Sequence, residues 1–405
     1  MKNSTSIKKK LIERGVYIHL PETVEVGDDV QPEQVAPGVE IYGGCRLSGD
    51  KLSIGPGSVL GAEGPVTISN CQLGHGVELK GGYFCDAVFM DGVSFGSGAH
   101  VRGGTLLEEH ASCAHTVGLK QTMLMPFVTL GSLINFCDCL MAGGTSGKDH
   151  SEVGSSYIHF NFTAHQDKAT ASLLGDVPQG VLLNQPPIFL GGQGGLVGPT
   201  RIAYGTVIAA GMLCRRDVLT PQRLVFGQSS GRLKEVAYDL RTYGDISRIM
   251  KNNFNYIGNL NALYAWYKHA RPLLMGHDQF SAACLTGGRK QICAMIDERI
   301  KRLQQLADKL KSSLEISGGS GGAPGRLHIQ ELFVENWPSI AERIVPDALD
   351  TPPANIITEK LAEADGSGYL QNLRDFEPTI CDAVSHWLNN IVTSVNSIWE
   401  EVKNG

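Results

Sequence analysis

Counting forward in sixes from Cys71 gives Val77, Tyr83, Phe89, Phe95, Val101, Leu107, Cys113, Leu119 and Met125, an apolar side chain at every step. An amphipathic helix repeats about every 3.6 residues and a simple strand about every 2, so neither accounts for a period of six. A hexapeptide solenoid does. Each hexad makes a short strand and a turn, three hexads close a triangular coil, and one side chain per hexad points inward. Successive coils then pair backbone to backbone and stack like side chains in columns. A second run at Leu190, Leu196, Ile202, Ile208 and Cys214 has the same spacing. The pattern predicts a mainly β chain, a parallel β-helix interrupted near residues 131–187.

Composition agrees with a folded domain of this type. Of 405 residues, 42% are hydrophobic and 19% charged, which excludes a disordered chain. The 49 glycines suit a tight turn every few residues. A net charge of −6 and the lack of a basic run give no reason to expect nucleic acid. No apolar stretch reaches the length of a membrane span, so no membrane partner is expected. The first residues, MKNSTSIKKKLIERG, are basic without an apolar core, so no secretory signal is expected. Several of the ten cysteines (Cys71, Cys113, Cys214) fall on the inward register, which points to a reducing compartment, the cytoplasm.

Residues 1–20 read as an N-terminal helix and lead-in. Residues 21–225 read as the β-helix, with an inserted loop at about 143–170. From Asp245 the pattern turns helical. Ile246, Ile249, Ile257, Leu260, Tyr264 and Tyr267 share one face, and a long helix follows with Ile292, Ile296, Ile300, Leu303, Leu310 and Leu314 on one stripe. This predicts a helical hairpin over 245–316. SGGSGGAPG at 317–325 reads as a flexible linker. Residues 326–405 read as a C-terminal helical region ending in an amphipathic helix with Ile380, Val384, Trp387, Ile391, Val395, Ile398 and Val402 on one face.

The inserted loop concentrates reactive side chains: His150, His159, His165, Lys148 and Lys168, with Asn161 among them. Insertions into solenoids form loops on one face, often the binding face. On a strand, His159 and Asn161 point to the same side, which allows a shared groove. Cys137 and Cys139 form a CxC whose alternation predicts two stacked core thiols rather than a metal site, and no metal is expected. His110 and His115 flank small residues in HASCAH and either line a groove or stand exposed. GGQGGLVG lacks the strand-to-helix setting of a nucleotide loop.

Residues from about 11 to 218 resemble the C-terminal acetyltransferase domain of the bifunctional bacterial enzyme that makes UDP-N-acetylglucosamine. The resemblance rests on LIERGVYIHLPETVEVGDDV, AHVRGGTLLEEHASCAHTVGLKQT, SSYIHFNF with KATASLLGD, and IFLGGQGGLVGPTRIAYGTVIAAGMLCRRDV. It implies a left-handed β-helix, a homotrimer with grooves between neighbouring helices, and acetyl-CoA or another acyl-CoA as co-substrate. It also implies a sugar phosphate or nucleotide sugar as acceptor. By the same resemblance, Arg102 and Lys120 hold the phosphate, Asn161 contacts the sugar, Lys168 matches a following substrate-binding loop lysine, and Gly192 and Ala210 lie against the acyl-CoA.

Three positions depart from the resemblance. Ser132 stands where that domain carries its catalytic histidine, Asn135 where it carries a substrate-contacting tyrosine, and Gly192 where it carries a serine near acetyl-CoA. Amine attack requires a base of near-neutral pKa, so His150, His159 and His165 become the candidates for that role. The alternative is a catalytically inactive sugar-phosphate-binding or scaffold protein of the same fold. The pyrophosphorylase half of the bifunctional enzyme has no counterpart in these residues, so uridylyl transfer is not expected.

Overall fold

A computed structural model describes residues 2–227, 235, 238–317, 324–363 and 368–404. Most of the predicted 317–325 linker lies outside the described residues. Helix α1 (Lys2–Glu13) leads into a parallel β-solenoid of about eleven coils. Face 1 runs from strand Tyr17–Ile18 to Leu224–Val225. Face 2 runs from Glu25–Val26 to Leu213–Cys214, and face 3 from Ser53–Ile54 to Arg201–Ile202. Two long strands, Gly118–Leu124 and Asn135–Met141, pass from face 2 round the corner onto face 3.

The register stacks inward side chains into columns. On face 1, Leu79 meets Phe95, which meets Cys113, then Leu130, Val153, Leu190 and Ile208. On face 2, Ile68 meets Phe84, then Val101, Leu119 and Phe136. Phe84, Phe89 and Phe95 enter one coil from its three faces and pack edge-to-face, centroids 5.5–5.7 Å apart. That geometry satisfies the ring quadrupoles.

Two expectations from the six-residue count change here. Tyr83 is 38% exposed, while its neighbour Phe84 is wholly buried. The steps from Leu79 to Phe84 and from Phe84 to Phe89 are each one residue short of a hexad. The count therefore passes from one inward position to another and lands on an outward one between. Nor is the solenoid interrupted at 131–187. Strands Glu152–Val153, Ile158–Phe160 and Ser172–Leu174 continue the three faces. The region expected as one loop at 143–170 is two excursions: an antiparallel hairpin, Gly144–Ser146 with Asp149–His150, and a loop at 161–171. A further excursion carries α2 (Val177–Gly180).

The helical region comprises α3 (Ser247–Ala265), a π-helical turn (Trp266–Ala270), α4 (Arg271–Leu274) and α5 (Gln279–Ser317), then α6 (Pro324–Arg343), α7 (Pro346–Leu349), α8 (Asn355–Ala362), α9 (Tyr369–Arg374) and α10 (Pro378–Asn404). The outer surface of face 3 decides where it docks. Val88, Leu106, Met123, Leu140 and Leu173 form an outward column in register. All five are buried, because α5 lies over strands Ser53–Ile54, Gln72–Leu73, Ala87–Phe89 and Thr105–Leu107, and α3 reaches Ser172–Leu174. Each such side chain contributes about 1.5–3 kcal/mol when fully buried. Solenoid and helices thus share one apolar core.

Buried polar groups orient the docking. Arg271 is fully buried, donates to Glu108 at 3.0 Å and to Glu109, and stacks over the ring of Tyr369 at 3.8 Å. Tyr267 donates to the same Glu108 oxygen at 2.6 Å. Among the described residues, no helix is long and apolar enough to cross a membrane.

Candidate functional site

The outer surface of face 2 carries two columns of side chains. Val101 pairs with Leu119, so Arg102 and Lys120 follow on successive coils, and Lys120 pairs in turn with Cys137. These three end face 2, just before the corner turned by Gln121 (φ 49°) and Asp138 (φ 61°). Such left-handed corners favour residues whose polar side chains tolerate positive φ. The Asp138 corner also separates the CxC. The alternation is broken, so Cys139 is buried while Cys137 remains partly accessible on the basic edge.

Lys168 reaches this edge from the 161–171 loop. Burial and the neighbouring Asp138 push the Cys137 thiol upward in pKa, and the charges of Arg102, Lys120 and Lys168 act against that shift. The three cations therefore lie near enough to act on the same thiol. Among the described residues none of the three makes an ion pair; the Lys168 ammonium lies over the Phe162 ring at 5.3 Å. Asn161 is held beside them, its Nδ2 donating to Asp138 Oδ2 at 2.9 Å. The other Asp138 oxygen accepts from Arg299 Nη2 of α5 at 2.5 Å, and Arg299 Nη1 donates to the Lys168 carbonyl at 3.3 Å. Four of the residues named from the sequence (Arg102, Lys120, Asn161, Lys168) thus gather at one corner, and a helix over 130 residues further along the chain positions two of them.

The histidines named as bases do not join them. His159 does not share a side with Asn161: the strand ends at Phe160, and His159 points to the interior. Its strand continues the inward column of face 2, pairing with Leu196, and it is 3% exposed. Its Nδ1 contacts the Cys137 carbonyl at 2.5 Å and its Nε2 the Ser172 hydroxyl at 2.8 Å. Burial pushes its pKa down to about 4. His165 stacks on Tyr243, centroids 4.0 Å apart, and its Nε2 donates to the Thr242 carbonyl at 3.0 Å. His150 lies at the base of the hairpin, Nδ1 3.0 Å from the Gly147 carbonyl. That hairpin joins faces 3 and 1, at a different corner. His110 is at the same far corner, stacked on Phe127.

The corner between faces 1 and 2 holds a pair that the sequence did not single out. His115 Nδ1 lies 2.8 Å from Ser132 Oγ, one coil away, and His115 is exposed. Backbone hydrogen bonds stack Ser97, His115, Ser132, Ser155, Gly192 and Ala210 on this corner. Gly192 and Ala210, named for acyl-CoA, therefore continue the line of His115 and Ser132. Asn135, Tyr83 and His100 stand on the face between this corner and the basic edge, the last two rings stacked at 5.0 Å. The available signal was spacing: His115 and Ser132 are 17 residues apart, close to one coil. Among the described residues no group of three or more His, Cys, Asp or Glu side chains is placed to hold a metal ion.

With this geometry in hand, the similarities to known proteins can be placed. No protein-family model matches the chain. The chain is 30% identical over 220 residues to the bifunctional protein GlmU of Lawsonia intracellularis, an alignment covering 54% of this chain and 42% of that protein. GlmU of Nitratidesulfovibrio vulgaris strain DP4 is 28% identical over 208 residues, 51% of this chain and 40% of the relative. GlmU of Thermotoga maritima is 27% identical over 233 residues, 56% and 45% of the two chains. The chain therefore spans less than half the length of these relatives. The coils make this part of the chain a hexapeptide-repeat β-helix, and over that stretch it resembles a known class of bacterial protein. The particular protein it resembles is GlmU.

Proposed function

We propose that the protein is an acyl-CoA-dependent transferase that acylates the amine of a sugar phosphate or nucleotide sugar. The observation that carries this reading is the unpaired cation cluster Arg102, Lys120 and Lys168 beside Asn161. A phosphate monoester is held best by several fixed cations, of which arginine can engage two oxygens at once. Asn161, with its amide fixed by Asp138, is suited to a sugar hydroxyl. Acetyl-CoA or a related acyl-CoA would lie along Gly192 and Ala210.

The base in this reading is His115 rather than His150, His159 or His165. It is exposed, it lies on the same corner as the acyl-CoA residues, and its Nδ1 touches Ser132. The amine nitrogen attacks the thioester carbonyl, the N–C bond forms and the C–S bond breaks. The proton leaves the nitrogen through His115 and ends on the CoA thiolate, so the products are an amide and a free thiol. His115 and the basic edge border face 2, which in this reading is one wall of a groove completed by a second copy in a homotrimer. Exposed Ile158, Phe160 and Leu213 on face 2, with Phe189, Val207 and Leu224 on face 1, supply apolar surface for that contact. Residues 21–225 would be the catalytic unit, with 245–316 and 326–405 bracing it. The ten unpaired cysteines agree with a reducing, cytoplasmic setting.

A second reading is a catalytically inactive binder of the same ligands. The burial of His159 and the presence of Ser132, Asn135 and Gly192 favour it. One experiment separates the two. The purified chain is incubated with acetyl-CoA and a panel of amino-sugar phosphates, and free thiol is assayed beside a thermal-shift measurement with each ligand. Thiol release that vanishes in H115A supports transfer. Stabilisation by sugar phosphate without thiol release selects the binder, and neither response removes both readings.

A further inference from the structure

Helix α5 runs beside the corner between faces 2 and 3, and a cleft of about 800 Å3 separates the two. Small residues of α5 face the solenoid there and let the helix approach it closely. Ala283, Gly287 and Ala294 line it, and a Cβ on Gly287 would come within 2.3 Å of Gln72 Oε1. The floor is built of carboxamides. Gln72 is buried and its Nε2 donates to the carbonyls of Lys51 at 2.6 Å and Asn70 at 3.1 Å, which fixes its orientation. Gln291 Oε1 accepts from Gly104 N at 2.9 Å, so its NH2 group remains to donate. Gln121 Oε1 is a buried acceptor with no hydrogen-bond donor.

The mouth carries Lys51, Lys120 and Lys290 with Asp86, and the Asp50 carboxylate also acts on Lys290. Lys51 and Lys290 face each other from opposite walls. Their ammonium groups are close enough that Lys51 is the main cause holding the Lys290 pKa below its ordinary value. Among the described residues neither lysine makes an ion pair. Asp86 and Asp50 offset this repulsion only in part, and a polyvalent anion between the two ammonium groups removes it. The chain as a whole carries −6, so this local positive charge is not a reflection of its composition. The cleft volume lies within the range of about 300–1,000 Å3 in which small-molecule sites fall.

We propose that this cleft binds a phosphorylated small molecule of nucleotide size, its phosphates bridged by Lys51, Lys290 and Lys120 and its polar remainder read by Gln72, Gln121 and Gln291. The site does not depend on acyl transfer. It opens on the other side of the corner from Arg102 and shares only Lys120 with the face 2 site. Multiple charge on one ligand is what three converging ammonium groups select; a single carboxylate would leave the repulsion partly unrelieved.

The test is calorimetric titration of the full chain with ADP, inorganic pyrophosphate and sulfate. ADP and pyrophosphate binding is expected, weakened about tenfold or more in the double variant K51A/K290A, as expected for loss of charge-assisted contacts. R102A should leave ADP binding unchanged, and T286W, which fills the mouth without removing a charge, should abolish it. Because anion binding favours the charged form of Lys290, ADP should also be taken up with a proton in alkaline buffer, seen as a dependence of heat on buffer ionisation. Equal binding of sulfate and ADP means an adventitious anion only and overturns the proposal. So does ADP affinity that is unchanged in K51A/K290A, or no binding at all. Thermal melts of each variant verify that it is folded.

Discussion

Arg299 on α5 and Asp138 at the solenoid corner form a buried ion pair, Nη2 to Oδ1 2.5 Å, with side chains 1% and 7% exposed. Asp138 passes the constraint to Asn161, and Arg299 holds the Lys168 carbonyl directly. The helical region therefore shapes the candidate site without contributing a ligand-binding group to face 2. Removing Arg299 alone strands a buried carboxylate. R299M should lower unfolding free energy by about 3–5 kcal/mol in denaturant titrations. The double variant R299M/D138N, which removes the buried charge and keeps a residue suited to positive φ, should recover part of that stability and still bind sugar phosphate poorly, because Arg299 no longer holds the Lys168 loop. Restored binding in the double variant would show that the pair is structural only.

Arg102 and Lys120 are exposed or partly exposed and, among the described residues, carry no ion pair. R102A and K120A should each weaken sugar-phosphate affinity by about 1.5–3 kcal/mol, the range of a hydrogen bond to a charged group. Melting temperature should barely change. A binding isotherm unaffected by both substitutions would remove the phosphate assignment.

His159 and His115 make opposite predictions. H159L should retain thiol release, since His159 lies in the core. H115A should lose it while melting unchanged. A thiol-release assay in which H159L is dead but folded reverses the assignment of the base.

His159 also sets a pH dependence. Its folded pKa of about 4 lies below its usual 6.5. A depressed histidine means that the unfolded chain binds the extra proton first. Its contribution is therefore full above about pH 6.5 and is lost as pH falls toward 4, about 3 kcal/mol in all. Glu108 acts the other way: burial raises its carboxyl, with Glu109 adding to the shift and Arg271 opposing it. Its contribution is present at low pH and is lost as pH rises through its folded pKa. H159L should flatten the acid side of the stability profile measured by denaturation, and E108Q should flatten the rise-side loss. A wild-type profile unaltered by H159L would show that this histidine is not buried neutral.

The docking of the helices rests on the outer column of face 3. L106A should cost about 2–5 kcal/mol through the cavity it leaves. L106E should go further and release α5, measured as new proteolytic cleavage between residues 279 and 317, while the solenoid remains resistant. Equal cleavage of both regions would mean that they unfold as one unit.

Much of the fold was legible because coil stacking needs one inward apolar residue at nearly constant spacing, and Phe89, Phe95, Val101 and Leu107 display it directly. The count slipped at Tyr83 because corners differ by a residue and a fixed period cannot register that. The stretch 131–187 looked like a break because two excursions, at the hairpin and at 161–171, lengthen the spacing without ending the coils. Arg102, Lys120, Asn161 and Lys168 were found through resemblance and do gather. His159 was misread because alternation does not tell which side is inside and its strand stops before Asn161. His115 and Ser132 were overlooked as a pair because their contact is between coils.

The spacing of apolar residues by itself determined the solenoid, its inward columns and the succession from coils to helices, because those depend on local period and backbone geometry alone. Where α5 lies, which histidine is buried, and how Arg299, Asp138 and Asn161 come together were decided only in the tertiary structure. Those relationships join residues tens to hundreds of positions apart, and their energies arise from desolvation and packing that exist only once the faces and helices have met.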